Sequence, residues 1–206
     1  MLALVFGAGL GLAGALWPDS LLDRVGRSIA LLAASTPSFY AAALLVLVLG
    51  LQLGWLPTFG RGGPATWVMP WIALALAPAG VLSRVVRVSL ERAMTEPYVV
   101  TAMSKGFPRG RILIRDAVPN VAPSLLAVYA TQVGLMIPGA VVVETIFAWQ
   151  GVGSYFLDAV KFRDVFVLQS TLLVFVVAFV LLNALVDIAQ AFLDPRVRRA
   201  TQAGAI

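Results

Sequence analysis

Charged residues cut this chain into long uncharged windows, and the lengths of those windows predict its elements. Met1–Pro18 is 18 residues, Ser28–Gly60 is 33, Gly62–Ser83 is 22, Ala117–Val143 is 27 and Val165–Val186 is 22. A bilayer core about 30 Å thick is crossed by roughly 20 apolar residues of helix. Four windows meet that length, and the first is marginal. Pro37 inside the second window fits a helix start better than a helix interior. That span is therefore expected to begin near Pro37 and end near Trp55 and Pro57, with Ser28–Ser35 as a lead-in or a short preceding helix. The pattern predicts an all-α integral membrane protein, one transmembrane domain over residues 1–206, with about five helices near 2–16, 36–54, 67–88, 117–145 and 167–192. Gly7, Gly11 and Gly14 give the first helix a small-residue stripe suited to close helix packing. No basic residue precedes that apolar run, so it reads as a packed helix rather than a secretory leader.

Composition agrees. Of the 206 residues, 60% are hydrophobic and 12% charged, about half the charged share of a soluble domain. There are no cysteines and no histidines, which excludes disulfide scaffolds, thiol catalysis, histidine bases and the usual zinc sites, and no metal or cofactor is expected. The net charge of +5 sorts by position. Arg24, Arg27, Arg84, Arg87, Arg92, Lys105, Arg109, Arg111, Arg115, Arg196, Arg198 and Arg199 fall on one side of the predicted spans, and only Arg61, Lys161 and Arg163 on the other. The twelve-to-three bias places the richer side in the cytoplasm, with the C-terminus inside and the N-terminus outside. The basic excess is thus a topology signal and not a nucleic-acid footprint. Five spans that start outside, with Met1 almost in the bilayer, read as a chain lacking a leading helix.

The most informative stretch is the polar loop at about 90–116. Glu96 and Pro97 suit the first turn of a helix, the carboxylate at the positive end of its dipole. Val99, Ala102 and Met103 stand at i, i+3 and i+4, on one apolar face, and Gly106 sits at a stop position. A short amphipathic helix outside the bilayer either lies in the lipid interface or docks on a partner.

Val100–Ala102, three residues, Gly106, nine residues and then Asp116–Pro119 form a spacing that resembles the EAA loop of ABC importer permeases. The letters YVVTAMSKG and AVPN resemble the dipeptide, oligopeptide and nickel branch. So do Pro37-Ser38-Phe39 with Leu53–Pro57, the stretch Val141–Asp164, and Asn183–Asp187 with Leu193–Arg196. The resemblance runs through essentially the whole chain. It departs at Pro97, Val100 and Met103, where the family usually carries an acid and two bases, and at Gln150, where it commonly has proline.

The resemblance implies a permease subunit in a bacterial or archaeal inner membrane, forming a path for small peptides or nickel chelates. Implied partners are a second permease, two ABC ATPase subunits, an extracytoplasmic substrate-binding protein and membrane lipid. Glu96, Tyr98, Val99, Ala102, Met103, Lys105 and Gly106 would dock the ATPase. Glu144 and Asp164 would stand at the translocation mouth, although for Glu144 a structural ion pair or a bond to the following backbone is the alternative. Asn183 and Asp187 are read as structural, suited to an interhelical polar contact. Lys105 and Lys161 lack a phosphate-cradling glycine context, so ATP hydrolysis would fall to separate subunits and the chain is expected not to be an enzyme. A secondary transporter or channel would show buried ionisable residues or broken helices mid-span, and paired inverted repeats, and the sequence displays neither. The other alternative is a truncated fragment that inserts but does not transport.

Overall fold

A computed structural model describes residues 1–60 and 62–193, with side chains to Ala191. Arg61 and the basic group Arg196, Arg198 and Arg199, like the Asp194–Arg196 part of the resemblance, lie outside the described residues. Helix α1 (Leu2–Leu16) is followed by α2 (Leu21–Ser35) and by α3 (Ser38–Leu45), which runs on as a π-helical segment, Val46–Gln52. Next come α4 (Ala65–Ala93), α5 (Pro97–Ser104) and α6 (Arg109–Ile112). A π-helical Leu113–Ala117 joins α6 to α7 (Val118–Ile146), and α8 (Val152–Phe162) and α9 (Val165–Leu193) complete the order.

Among the described residues, three stretches are long and apolar enough to cross a bilayer: Ala65–Ala93, Arg109–Ile146 and Val165–Ala191. The pair α2–α3 makes a fourth if counted as one span, although it bends by 106° at its break. The expected count of about five is corrected accordingly. Helix α1 has 15 residues, about 22 Å of rise, because Trp17 precedes Pro18 and leaves the helical region at φ −120°. The bend between α2 and α3 has the same cause, since Thr36, preceding Pro37, is extended at φ −88°, ψ 117°.

Helix α2 also begins earlier than the expected Ser28. The Ser20 hydroxyl caps it, accepting the Asp23 N–H at 3.1 Å, so the helix takes in Asp23, Arg24 and Arg27. The sequence signal was there: Ser20-x-x-Asp23 is a capping pattern.

Helix α4 is the hub. The α1 glycine stripe lies against it, so close that a Cβ on Gly7 would come 2.7 Å from the Ala79 carbonyl oxygen and one on Gly11 would sit 2.8 Å from the Val86 Cβ. Gly80 of α4 likewise admits the α2 backbone at Ala30 and Ala34. Among the described residues, buried side chains cluster at both ends of α4. One cluster joins Ala15, Val86, Leu90, Val99, Ile112 and Leu113, and the other joins Ala41, Ala42, Met69, Ala73, Val143 and Phe147.

Candidate functional site

The loop leaving α4 folds back onto the first of these clusters. Pro97 occupies the first turn of α5, and the extended Glu96 (φ −71°, ψ 149°) is its N-cap through its carbonyl, with no side-chain bond. The helix closes in a Schellman arrangement: Gly106 N–H donates to the Met103 carbonyl at 2.9 Å and Phe107 N–H to that of Ala102 at 3.3 Å. Gly106 takes φ +80° and a Cβ there would meet nothing, so its requirement is conformational and not steric. The Arg111 guanidinium lies 4.3 Å from the Phe107 ring centroid and ties the turn to α6.

One expectation for this helix is corrected. Val99 is wholly buried in the chain's own core beside Leu90, Ile112 and Leu113, and Ala102 packs against that core. The i, i+3 face therefore anchors α5 to the chain's own core. The face left open carries Tyr98, Val100 and Met103, with Glu96 and Lys105 at its ends and Phe107 just beyond. Periodicity located the apolar stripe but not what would cover it, because both answers bury the same residues.

Beside this anchor lies a cluster that the sequence reading missed. Asp23 is buried in α2, and Arg87 of α4 binds it twice, Nε to Oδ1 at 2.7 Å and Nη2 to Oδ2 at 3.0 Å. Arg27 stands 3.3 Å from the same carboxylate, the Asp19 N–H donates to it at 3.1 Å, and Arg87 also pairs with Glu91 at 2.8 Å. Gly14 makes room, since a Cβ there would lie 2.7 Å from Asp23 Oδ1. The buried acid here is not the mid-span ionisable group expected of a secondary transporter. Asp23 lies in the first turn of α2, at the basic end of the molecule, and is fully paired.

At the other end, Glu144 turns back on the chain. Its Oε2 accepts the Ser154 N–H at 2.9 Å, at the start of α8. The N-cap of α8 is Gly151, which has no side chain to cap with, and a Cβ there would run into the Glu144 carboxylate. The acid of α7 thereby serves as cap for α8 and faces its positive dipole end. Ser154 completes the turn, its hydroxyl accepting from Gly151 N–H at 3.0 Å and donating to the Gly151 carbonyl at 2.9 Å. Asp164 does the same for α9, its Oδ1 accepting the Val167 N–H at 3.1 Å. The Asn183 side chain donates to the Phe179 carbonyl of its own helix at 2.8 Å rather than across a helix interface, and Asp187 is exposed. Three of the five tryptophans gather at this end, Trp67 standing edge-on to Trp71 at 5.3 Å and to Trp149 at 5.7 Å.

A short helix is therefore held outside long apolar helices, one face spent on the chain's own core and the other open. Compared with known families, residues 5–199 match the binding-protein-dependent transport system inner membrane component. The chain belongs to that family. Membership makes it a multi-pass inner-membrane component. It is 33% identical over 196 residues to the glutathione transport system permease protein GsiC of Pectobacterium atrosepticum, and equally to the proteins of that name from Salmonella typhi and Escherichia coli K12. The match covers 95% of this chain and 64% of each relative, so the chain spans just under two thirds of their length. In three dimensions this family member is similar to a chain of the MetNI methionine ABC transporter in an inward-facing form, with TM-score 0.76 and 14% identity over 93% of this chain and 88% of that one. That likeness establishes the permease fold.

Proposed function

We propose that this chain is the permease subunit of an ABC importer for small peptides of the glutathione class, with nickel chelates as the variant cargo. It works with a second permease, two ATPase subunits and an extracytoplasmic binding protein. The basic end, with position 106 and the C-terminus, faces the cytoplasm. Closure of the ATPases on nucleotide moves α5. Because Val99 locks α5 to α4 and α6, the push passes into the helix that α1, α2, α3 and α7 all pack against, and the bundle exchanges inward- and outward-open states. Glu96, Tyr98, Val100, Met103 and Lys105 meet the ATPase, while Val99 and Ala102 transmit.

The observation that carries this reading is the two-faced α5: buried on its own core at Val99, exposed at Tyr98, Val100 and Met103. The secondary-transporter reading gains less from Asp23 and Arg87, which pair with each other near the basic end of the bundle.

The test is co-purification with the cognate ATPases together with glutathione uptake. Met103→Glu and Val100→Glu place an acid on the exposed face. Each should leave the subunit folded and lower ATPase retention and uptake by at least about tenfold, because a charge buried unpaired at an interface is costly. Wild-type retention and uptake in both variants would overturn the docking role and leave α5 as a lipid-interface helix.

A further inference from the structure

The space between α1, α2 and α4 is an open groove of about 630 Å³ whose walls are apolar along most of their length and basic at one end. Phe6 and Leu10 of α1, Leu31 of α2 and Val88 of α4 line it, and all four are exposed. Its charged lining residues are Asp23, Arg27, Arg84 and Arg87, a net charge of +2. Asp23 is already satisfied by Arg87 and Arg27, but Arg84 is exposed and enters none of the ion pairs or side-chain hydrogen bonds among the described residues. The floor is deliberately empty: a Cβ on Gly9 would meet nothing within 4 Å, and one on Gly26 would only touch Leu10 at 4.0 Å.

A water-soluble anion would gain nothing from the apolar walls, and an uncharged hydrocarbon nothing from Arg84. An occupant with an anionic head and long apolar chains satisfies both. We propose that this groove binds one anionic phospholipid, its phosphate at Arg84 and its acyl chains along Phe6, Leu10 and Leu31. Intramembrane grooves with a basic end are suited to such head groups. The lipid would brace α1 and α2 against α4 beside the Asp23–Arg87 pair. The inference is independent of what the protein transports.

The experiment is native mass spectrometry of the purified chain in detergent supplemented with phosphatidylglycerol, phosphatidylcholine or inorganic phosphate, with thermal unfolding as a folding control. The wild type should retain phosphatidylglycerol about fivefold over phosphatidylcholine, the preference expected of one arginine. Arg84→Gln should bring that ratio close to one. Gly9→Leu, which fills the groove from a helix that gains propensity by the change, should abolish retention of both lipids. Gly26→Leu on the opposite wall provides the same test should Gly9→Leu fail to fold. Equal retention in wild type and Arg84→Gln overturns the proposal. So does retention unchanged by the filling variants, which would mean that something other than lipid covers the groove. Competition by inorganic phosphate would reveal a bare anion site and overturn it as well.

Discussion

Helices α4 and α9 are each 29 residues long and each apolar enough to cross a bilayer, yet their surroundings are opposite. In the most apolar stretch of α4, 44% of residues are buried within the chain, against 6% in α9. The letters explain it. Helix α4 alternates alanine, glycine, proline and serine with its large residues, and the small ones let α1 and α2 approach to backbone distance. From Leu172 to Leu182, α9 is almost unbroken Leu, Val and Phe, and most of it is exposed. Its hold on α7 includes the ring of Phe179 set over Gly134, where a Cβ would strike it. Hydropathy measures what a helix can face in lipid. Small residues and polar partners decide what it packs against, because lipid tails are as apolar as leucine and association rests on close packing and hydrogen bonds. The more hydrophobic helix is therefore the outer one.

This contrast can be broken, or sharpened, by substitution in the chain purified in detergent and unfolded by heat or denaturant. The largest effect is expected at Arg87→Ala, which takes the bidentate partner from the buried Asp23 and leaves it only the half-exposed Arg27 and the Asp19 N–H; it should destabilise by up to about 3–5 kcal/mol. Replacing the pair together, Asp23→Leu with Arg87→Met, should recover most of that loss; no recovery would mean that the pair matters for something besides its charge. Gly11→Leu should come next. It forces α1 away from the Ser83 carbonyl and Val86, at about 1–3 kcal/mol, and a neutral result would show that α1 is not seated on α4 as described.

On the sparser side the effects shrink. Glu144→Ala removes the cap of α8 and should cost about 1 kcal/mol, whereas Glu144→Gln, which keeps the acceptor, should lose less. Equal losses would point to the charge rather than to the hydrogen bond. Leu181→Ala on the open face of α9 should change the stability of the chain by no more than about 0.5 kcal/mol. A loss above about 2 kcal/mol there would erase the contrast between the two helices.

Much of the fold was legible without coordinates. The windows near 67–88, 117–145 and 167–192 became α4, α7 and α9, Pro37 marked the start of α3, and the Gly7–Gly11–Gly14 stripe proved to be a packing face. These features depend on local length, on proline geometry and on the absence of side chains, which a sequence displays directly. Helix α2 is legible only from Ser28 onward, because Asp23, Arg24 and Arg27 interrupt its apolar pattern while a buried partner on α4 makes that interruption tolerable. Helix α8 carries no capping signal of its own: its N-cap is a glycine, and the carboxylate that replaces a capping side chain comes from Glu144 in the preceding helix.

By itself the sequence determined that the chain lives in a bilayer, where its helices break, and where a short helix stands apart from them. Those follow from hydrophobic length and from backbone stereochemistry, each set by residues a few positions apart. Tertiary structure alone decided which face of α5 is free. Val99 and Met103 share one stripe, but a core assembled from residues 15 to 117 covers Val99 and leaves Met103 open. It alone could also show that Asp23 answers Arg87, since a pairing across 64 positions leaves no periodicity along the chain to read.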